Sequence, residues 1–127
     1  MNLDSIRAFC LTFPHATEQV QWGDDLVFKI GGKMFAVLVL EARYGVRMSF
    51  KCTPEKFAEL IEREGIAPAA YVARYHWVST EQFDTLAGDE LKPLLRQAYE
   101  MVREKLPKKM RAELEKTTTK TKRLAGR

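Results

Sequence analysis

Apolar and polar positions follow two different periods along this chain, and each change of period marks an element. From Asp4, a residue suited to cap a helix, Ile6, Phe9 and Cys10 recur at helical spacing until Pro14, which predicts a short N-terminal helix. The runs Leu26-Val27-Phe28-Lys29-Ile30 and Lys33 to Leu40 are β-rich and joined by Gly31-Gly32, a hairpin whose turn requires positive φ. A third run, Val46 to Lys51, alternates apolar and polar and predicts a strand with one buried face. The three strands form a meander.

Period-two placement then sets a register. A two-residue turn pairs Phe28 with Phe35 and Leu26 with Val37, and a four-residue loop from Ala42 to Gly45 pairs Val39 with Met48 and Val37 with Phe50. That face is core. The opposite face carries Val27, Lys29, Met34, Ala36, Leu38, Leu40, Arg47, Ser49 and Lys51, too apolar for bare solvent and too basic for a sealed core, so the rest of the chain is expected to cover part of it. Thr53-Pro54 starts a second helix spanning about Pro54 to Glu64, closed by Gly65. A short helix within Pro68 to Tyr75 and a brief strand from Trp77 to Thr80 follow. From Asp89, Leu91, Leu94, Leu95, Ala98, Tyr99, Val102 and Leu106 recur at spacings of three and four, a long amphipathic helix that Pro107 terminates and that packs on the sheet. Residues 1–107 are thus read as one domain. Residues 108–127 form a basic extension with little to bury, whose end is expected to be mobile.

Composition agrees with one compact domain: 127 residues, 46% hydrophobic and 30% charged, exclude disorder along the whole length. The longest apolar stretch, Met34 to Leu40, is far short of the roughly 20 residues of a membrane-spanning helix. The first residues carry neither a basic start nor an apolar middle, so a cytoplasmic protein with reduced thiols at Cys10 and Cys52 is expected, the monomer being favoured. The net charge of +4 hides an asymmetry: residues 1–102 hold 11 Lys and Arg against 14 Asp and Glu, residues 103–127 hold 10 against 3. A basic tail on a mildly acidic body implies a polyanionic partner or a solubilising tail.

Motifs for metal or covalent chemistry are missing. His15, His76, Cys10 and Cys52 occur singly, and Asp24-Asp25 with Glu59, Glu62 and Glu64 read as solvated carboxylates, so neither metal nor cofactor is expected. No strained GxSxG turn presents a nucleophile, and Gly31-Gly32-Lys33 is a hairpin turn rather than a phosphate loop. Cys52 lies near the start of the second helix, where a thiolate would be stabilised, although a half-buried structural cysteine is the commoner case. His76-Trp77, preceded by Arg74 and Tyr75, combines a stacking plane, a titratable donor and a cation, components that hold bases and phosphates; an anchored core Trp is the plainer reading. Arg47, Ser49 and Lys51 fall on one side of the third strand at intervals of about 6.8 Å, close to the phosphate spacing of one DNA strand.

The chain resembles the MmcQ/YjbR family of small bacterial proteins. The resemblance rests on the run Val27 to Ala36, on Lys51-Cys52-Thr53-Pro54-Glu55, on His76-Trp77-Val78, and on Ala98 to Val102 with Lys105-Leu106-Pro107-Lys108-Lys109. It implies an α+β fold, an antiparallel sheet with helices mainly on one face in a CyaY-like arrangement, and a proposed DNA-binding role through a double-wing motif. The Gly31-Gly32 hairpin with Lys33 at its tip is the position for such a wing. Ala98 departs from the expected Ser of a Ser-Tyr pair, and the first helix lacks the acidic ridge of an iron-binding frataxin. The leading expectation is therefore a non-enzymatic DNA-binding domain. Its site set is Lys29, Lys33, Arg47, Lys51, Arg74, His76, Trp77, Lys105, Lys108 and Lys109. The alternatives are an interaction or oligomerisation module using the sheet face around Leu38 and Leu40, and a ligand-binding or enzymatic pocket near Cys52, His76 and Trp77.

Overall fold

The structure is a computed structural model that describes the backbone of every residue except Tyr44, Gly126 and Arg127, and the side chains outside 42–44 and 117–127. The elements run α1 (Leu3–Leu11), β1 (Thr17–Gln21), β2 (Asp25–Ile30), β3 (Lys33–Arg43), β4 (Val46–Lys51), α2 (Pro54–Leu60), β5 (Ile66–Pro68), a 3-10 turn (Ala73–Tyr75), β6 (Trp77–Thr80), α3 (Gly88–Glu104) and α4 (Lys108–Ala125). The strands pair antiparallel in the order β1-β2-β3-β4-β6-β5, so the architecture is α+β with an open six-stranded sheet.

The helices start where local chemistry satisfies their free N–H groups. Asn2, not Asp4, caps α1: its side chain accepts from the Ser5 backbone N–H while the Ser5 hydroxyl accepts from Asn2 in return. Thr53 caps α2 with Pro54 as its first residue, as the sequence implies, but regular helix ends at Leu60 rather than Glu64. Two strands escape the hydrophobic pattern. β1 (Thr-Glu-Gln-Val-Gln) is a polar edge strand, and β5 is three residues long and ends at Pro68; the short helix expected within Pro68 to Tyr75 is the 3-10 turn Ala73–Tyr75.

The hairpin turn is as expected, with Gly31 and Gly32 both at positive φ. The register beyond it is not. Ile30 pairs with Lys33 and Lys29 with Met34, but Phe28 then pairs with Ala36, leaving Phe35 as the extra residue of a β-bulge. Phe35 and Ala36 both enter the main core, and the side chains from Ala36 to Leu40 are inverted relative to the face predicted for them. Leu38 is fully buried on the helix side and Leu40 packs against that core, whereas Val37 belongs to a separate cluster on the opposite face. The proposed interaction surface around Leu38 and Leu40 is thereby corrected.

The main core lies between the sheet and the helices, with Phe28, Ile30, Phe35, Leu38, Met48, Phe50 and Val78 from strands meeting Ile6 and Cys10 of α1, Leu60 of α2 and Leu91, Leu95 and Ala98 of α3. Tyr99 stacks on Phe13 and donates its hydroxyl to the Pro14 carbonyl at 2.7 Å, locking α3 to the segment after α1. Lys108–Ala125 form α4. Met110 and Leu114 pack on the core edge, and the turn at Gly31 sits so close to Leu106 and Met110 that a Cβ there would lie 2.7 and 2.8 Å from them. The expected mobility of the chain end concerns residues outside the described side chains.

Candidate functional site

The sheet face turned away from α1 and α3 is built in rows. Register places Lys29 beside Met34 and Lys51 beside Trp77; the next row is Val27, Val37, Ser49 and Ser79, two residues further along β2, β4 and β6 and three along the bulged β3. Chain folded back from β5 covers part of this face: Ala69 donates its N–H to the Trp77 carbonyl at 3.0 Å, and Ala69 and Val72 pack with Val27, Val37, Met34 and Trp77. The expectation that the chain itself covers part of this face is met there.

Two adjoining depressions remain open. The smaller, of about 350 Å3, is lined by Lys33, Lys51 and Lys105 with Met34, Val72, Tyr75, Trp77, Val102 and Leu106. It contains three lysines and no carboxylate, and no ion pair among the described residues involves any of them. Lys51 is held in place by donating to the Tyr75 carbonyl at 2.9 Å. Its proton affinity is pushed below the ordinary lysine range, first by burial and then by the like charge of Lys105. Two cations kept together without an acid repel each other, and a bound anion relieves that repulsion.

The larger groove, of about 560 Å3, shares Met34, Val72 and Trp77 with the first and runs along the sheet past Val37, Val39 and Val46. Its floor is largely apolar, the Ser49 and Ser79 hydroxyls there being hydrogen-bonded to each other at 2.9 Å, and among the described residues Asp25 is the one carboxylate that lines the groove, at the end where Trp22 stands. Trp22 and Tyr71 stand at its walls, 68% and 99% exposed.

The remaining expected site residues are dispersed. Arg47 leaves the line with Ser49 and Lys51: its guanidinium lies 4.6 Å from the Phe83 ring, which packs against the main core, while Val46 faces the groove. The regular phosphate-spaced array is therefore absent from β4. Lys29 donates to Gln19 at 3.2 Å on β1, and Arg74 lies over the Tyr75 ring at 4.8 Å. His76 turns away, its left-handed backbone placing the ring edge-on to Phe57 of α2 at 5.5 Å. Trp77 is 4% exposed and is an anchor, not a free stacking plane. Lys108 and Lys109 are exposed at the start of α4, three and four positions from Lys105.

Cys52 is buried and its thiol pKa is raised to about 11 by that burial, in keeping with the structural cysteine that is the commoner case rather than a stabilised thiolate. Among the described residues no cluster of His, Cys, Asp or Glu suits a metal ion, and no helix is long and apolar enough to cross a membrane. Trp22 and Tyr71 escaped the sequence reading. The available signal was an aromatic residue within a turn, Trp22-Gly23 in one case and Tyr71 after Pro68-Ala69-Ala70 in the other.

A family model described as YjbR matches residues 11–101. The chain is similar to a Deinococcus radiodurans protein of known crystal structure with the domain DUF419, at 32% identity, covering 90% of this chain and 88% of that one with a TM-score of 0.78. A crystal structure of a Pseudomonas syringae protein shares the fold at 19% identity, covering 80% of this chain and 99% of that one with a TM-score of 0.67. A search of the curated proteins found no match.

Proposed function

The chain belongs to the YjbR family, and on that premise we propose that it is a non-enzymatic DNA-binding protein that holds phosphate on the lysines of its open sheet face. The observation that carries this reading is the meeting of Lys33, Lys51 and Lys105, from β3, β4 and the end of α3, around one depression free of carboxylates. A solubilising surface intersperses both signs. A cluster of one sign supported by a rigid sheet is suited to a polyanion instead. Lys108 and Lys109 add basic side chains at the start of α4, three and four positions from Lys105. The hairpin takes part through Lys33 beside its turn rather than as a projecting wing, because Gly31 rests on Leu106 and Met110.

Fluorescence anisotropy with labelled DNA across a salt series tests this. Three neutralised phosphates give a slope of log K against log salt of about −2 to −3, and Lys33→Ala or Lys105→Ala each reduce its magnitude by about 1. The full chain with Lys120, Lys122 and Arg123 neutralised to Gln is the control. If that change removes binding while the lysine variants of the domain do not affect it, the sheet face is not the DNA-binding surface.

A further inference from the structure

We propose that the apolar groove beside the lysines takes an unpaired nucleobase, so that the DNA recognised is single-stranded. This rests on the phosphate reading of the lysine cluster and adds what the neighbouring surface selects. The two depressions are continuous through Met34, Val72 and Trp77. Along β4, Ser49, which pairs with Val37, lies two residues, about 6.8 Å, from Lys51, and on β3 the bulge at Phe35 makes the same step three residues, from Met34 to Val37. A phosphate on the lysines therefore leaves its base above the apolar floor, and the neighbouring base toward Trp22.

Three features favour a flat aromatic occupant. The groove, at about 560 Å3, holds more than one side chain's worth of space over Val37 and Val39. Trp22 and Tyr71 stand exposed at its walls, so both rings are available to stack on a bound base. Both occupy left-handed backbone, with φ of 52° and 67°, a conformation unfavourable for bulky residues that costs stability while aiming the rings outward. Base stacking on such rings is tolerant of sequence. In a duplex each base has its faces covered by its neighbours and its edge paired, so its face cannot enter the groove. The lysines alone would hold either form.

Anisotropy titrations of the full chain with an oligothymidylate of about 12 nucleotides, and with the same strand in duplex, compared at each salt concentration of one series, test the inference. The single strand is expected to bind about tenfold or more tighter than the duplex. Trp22→Ala and Tyr71→Ala should each weaken the single strand about fivefold or more without changing its salt slope, and Trp22→Phe should keep most of the affinity. Both positions are exposed, and melting curves verify that the variants fold. Equal affinity for the two forms, or full single-strand binding by both alanine variants while Lys33→Ala and Lys105→Ala still weaken each form, overturns the groove and leaves the phosphate reading standing. Insensitivity of both forms to the lysine substitutions overturns both.

Discussion

At the scale of the residue, burial decides which side chains can do chemistry. Cys10 and Cys52 are both desolvated, their thiols pushed up to about 12 and about 11. With so little thiolate at pH 8, on the order of 0.1% for Cys52, neither should be alkylated by iodoacetamide at that pH in the native protein, and both should react once it is unfolded. Mass spectrometry of the treated protein checks this, and rapid native labelling of Cys52 would revive the idea of a reactive thiol. Gly31 is constrained twice, by a φ of 58° and by Leu106 and Met110 against its open side. Gly31→Ala should destabilise by about 1–3 kcal/mol in urea titrations, whereas Gly32→Ala, which meets no neighbour, should show only the cost of its positive φ. The Gly-Gly pair was readable as a turn from sequence, but which glycine touches the body depends on residues 75 or more positions away.

At the scale of the element, β3 carries the main lesson. Met34 to Leu40 is apolar at every position, so period two leaves no trace there and a bulge at Phe35 is invisible until β2 and the helices are in place. β4, by contrast, alternates, and Met48 and Phe50 point into the core as the alternation requires. The long amphipathic helix, the N-terminal helix and β6 were likewise legible, because each carries a repeating stripe or lies between clear breaks. α4 was not, since its sequence is charged and Thr-rich; among the described residues Met110 and Leu114 are the apolar side chains it sets against the body. Those two contacts make a prediction. Met110→Ala should lower stability by about 1–2 kcal/mol, less than for a fully buried methionine, and should lower the affinity for DNA only slightly, as measured by chemical denaturation and anisotropy.

At the scale of the whole molecule, one face of the sheet is spent on the core and the other is left partly open, with its cations at one end and its apolar groove along the rest. Lysines from three separate elements line one depression, and of these Lys51 and Lys105 are held together at a repulsive cost. A polyvalent anion should offset it. Saturating tripolyphosphate is therefore expected to raise the melting temperature by several degrees, consistent with linkage of about 2.7 kcal/mol at 100 times Kd, and Lys33→Ala with Lys105→Ala should remove the gain. Lys51 gives up its proton at lower pH than an ordinary lysine, so the gain should fade as pH rises toward the lysine range, beginning with the contribution of Lys51. Differential scanning fluorimetry with and without the anion, at neutral and alkaline pH, measures both effects. A gain unchanged by the double substitution would place the anion elsewhere.

What the amino-acid sequence determined by itself is local: where periodicity switches, where glycine and proline break it, the α+β class, and a set of basic side chains that includes Lys33, Lys51 and Lys105. Tertiary structure decided which of those cations meet. It separated Arg47 and His76 from the others by drawing them to Phe83 and Phe57, and it turned Val37 and Val39 outward to make the groove beneath Trp22 and Tyr71. The reason is physical. Side-chain period and turn chemistry act over a few residues, whereas a bulge is settled by how two nonadjacent surfaces pack, and that information exists only once the chain has closed on itself.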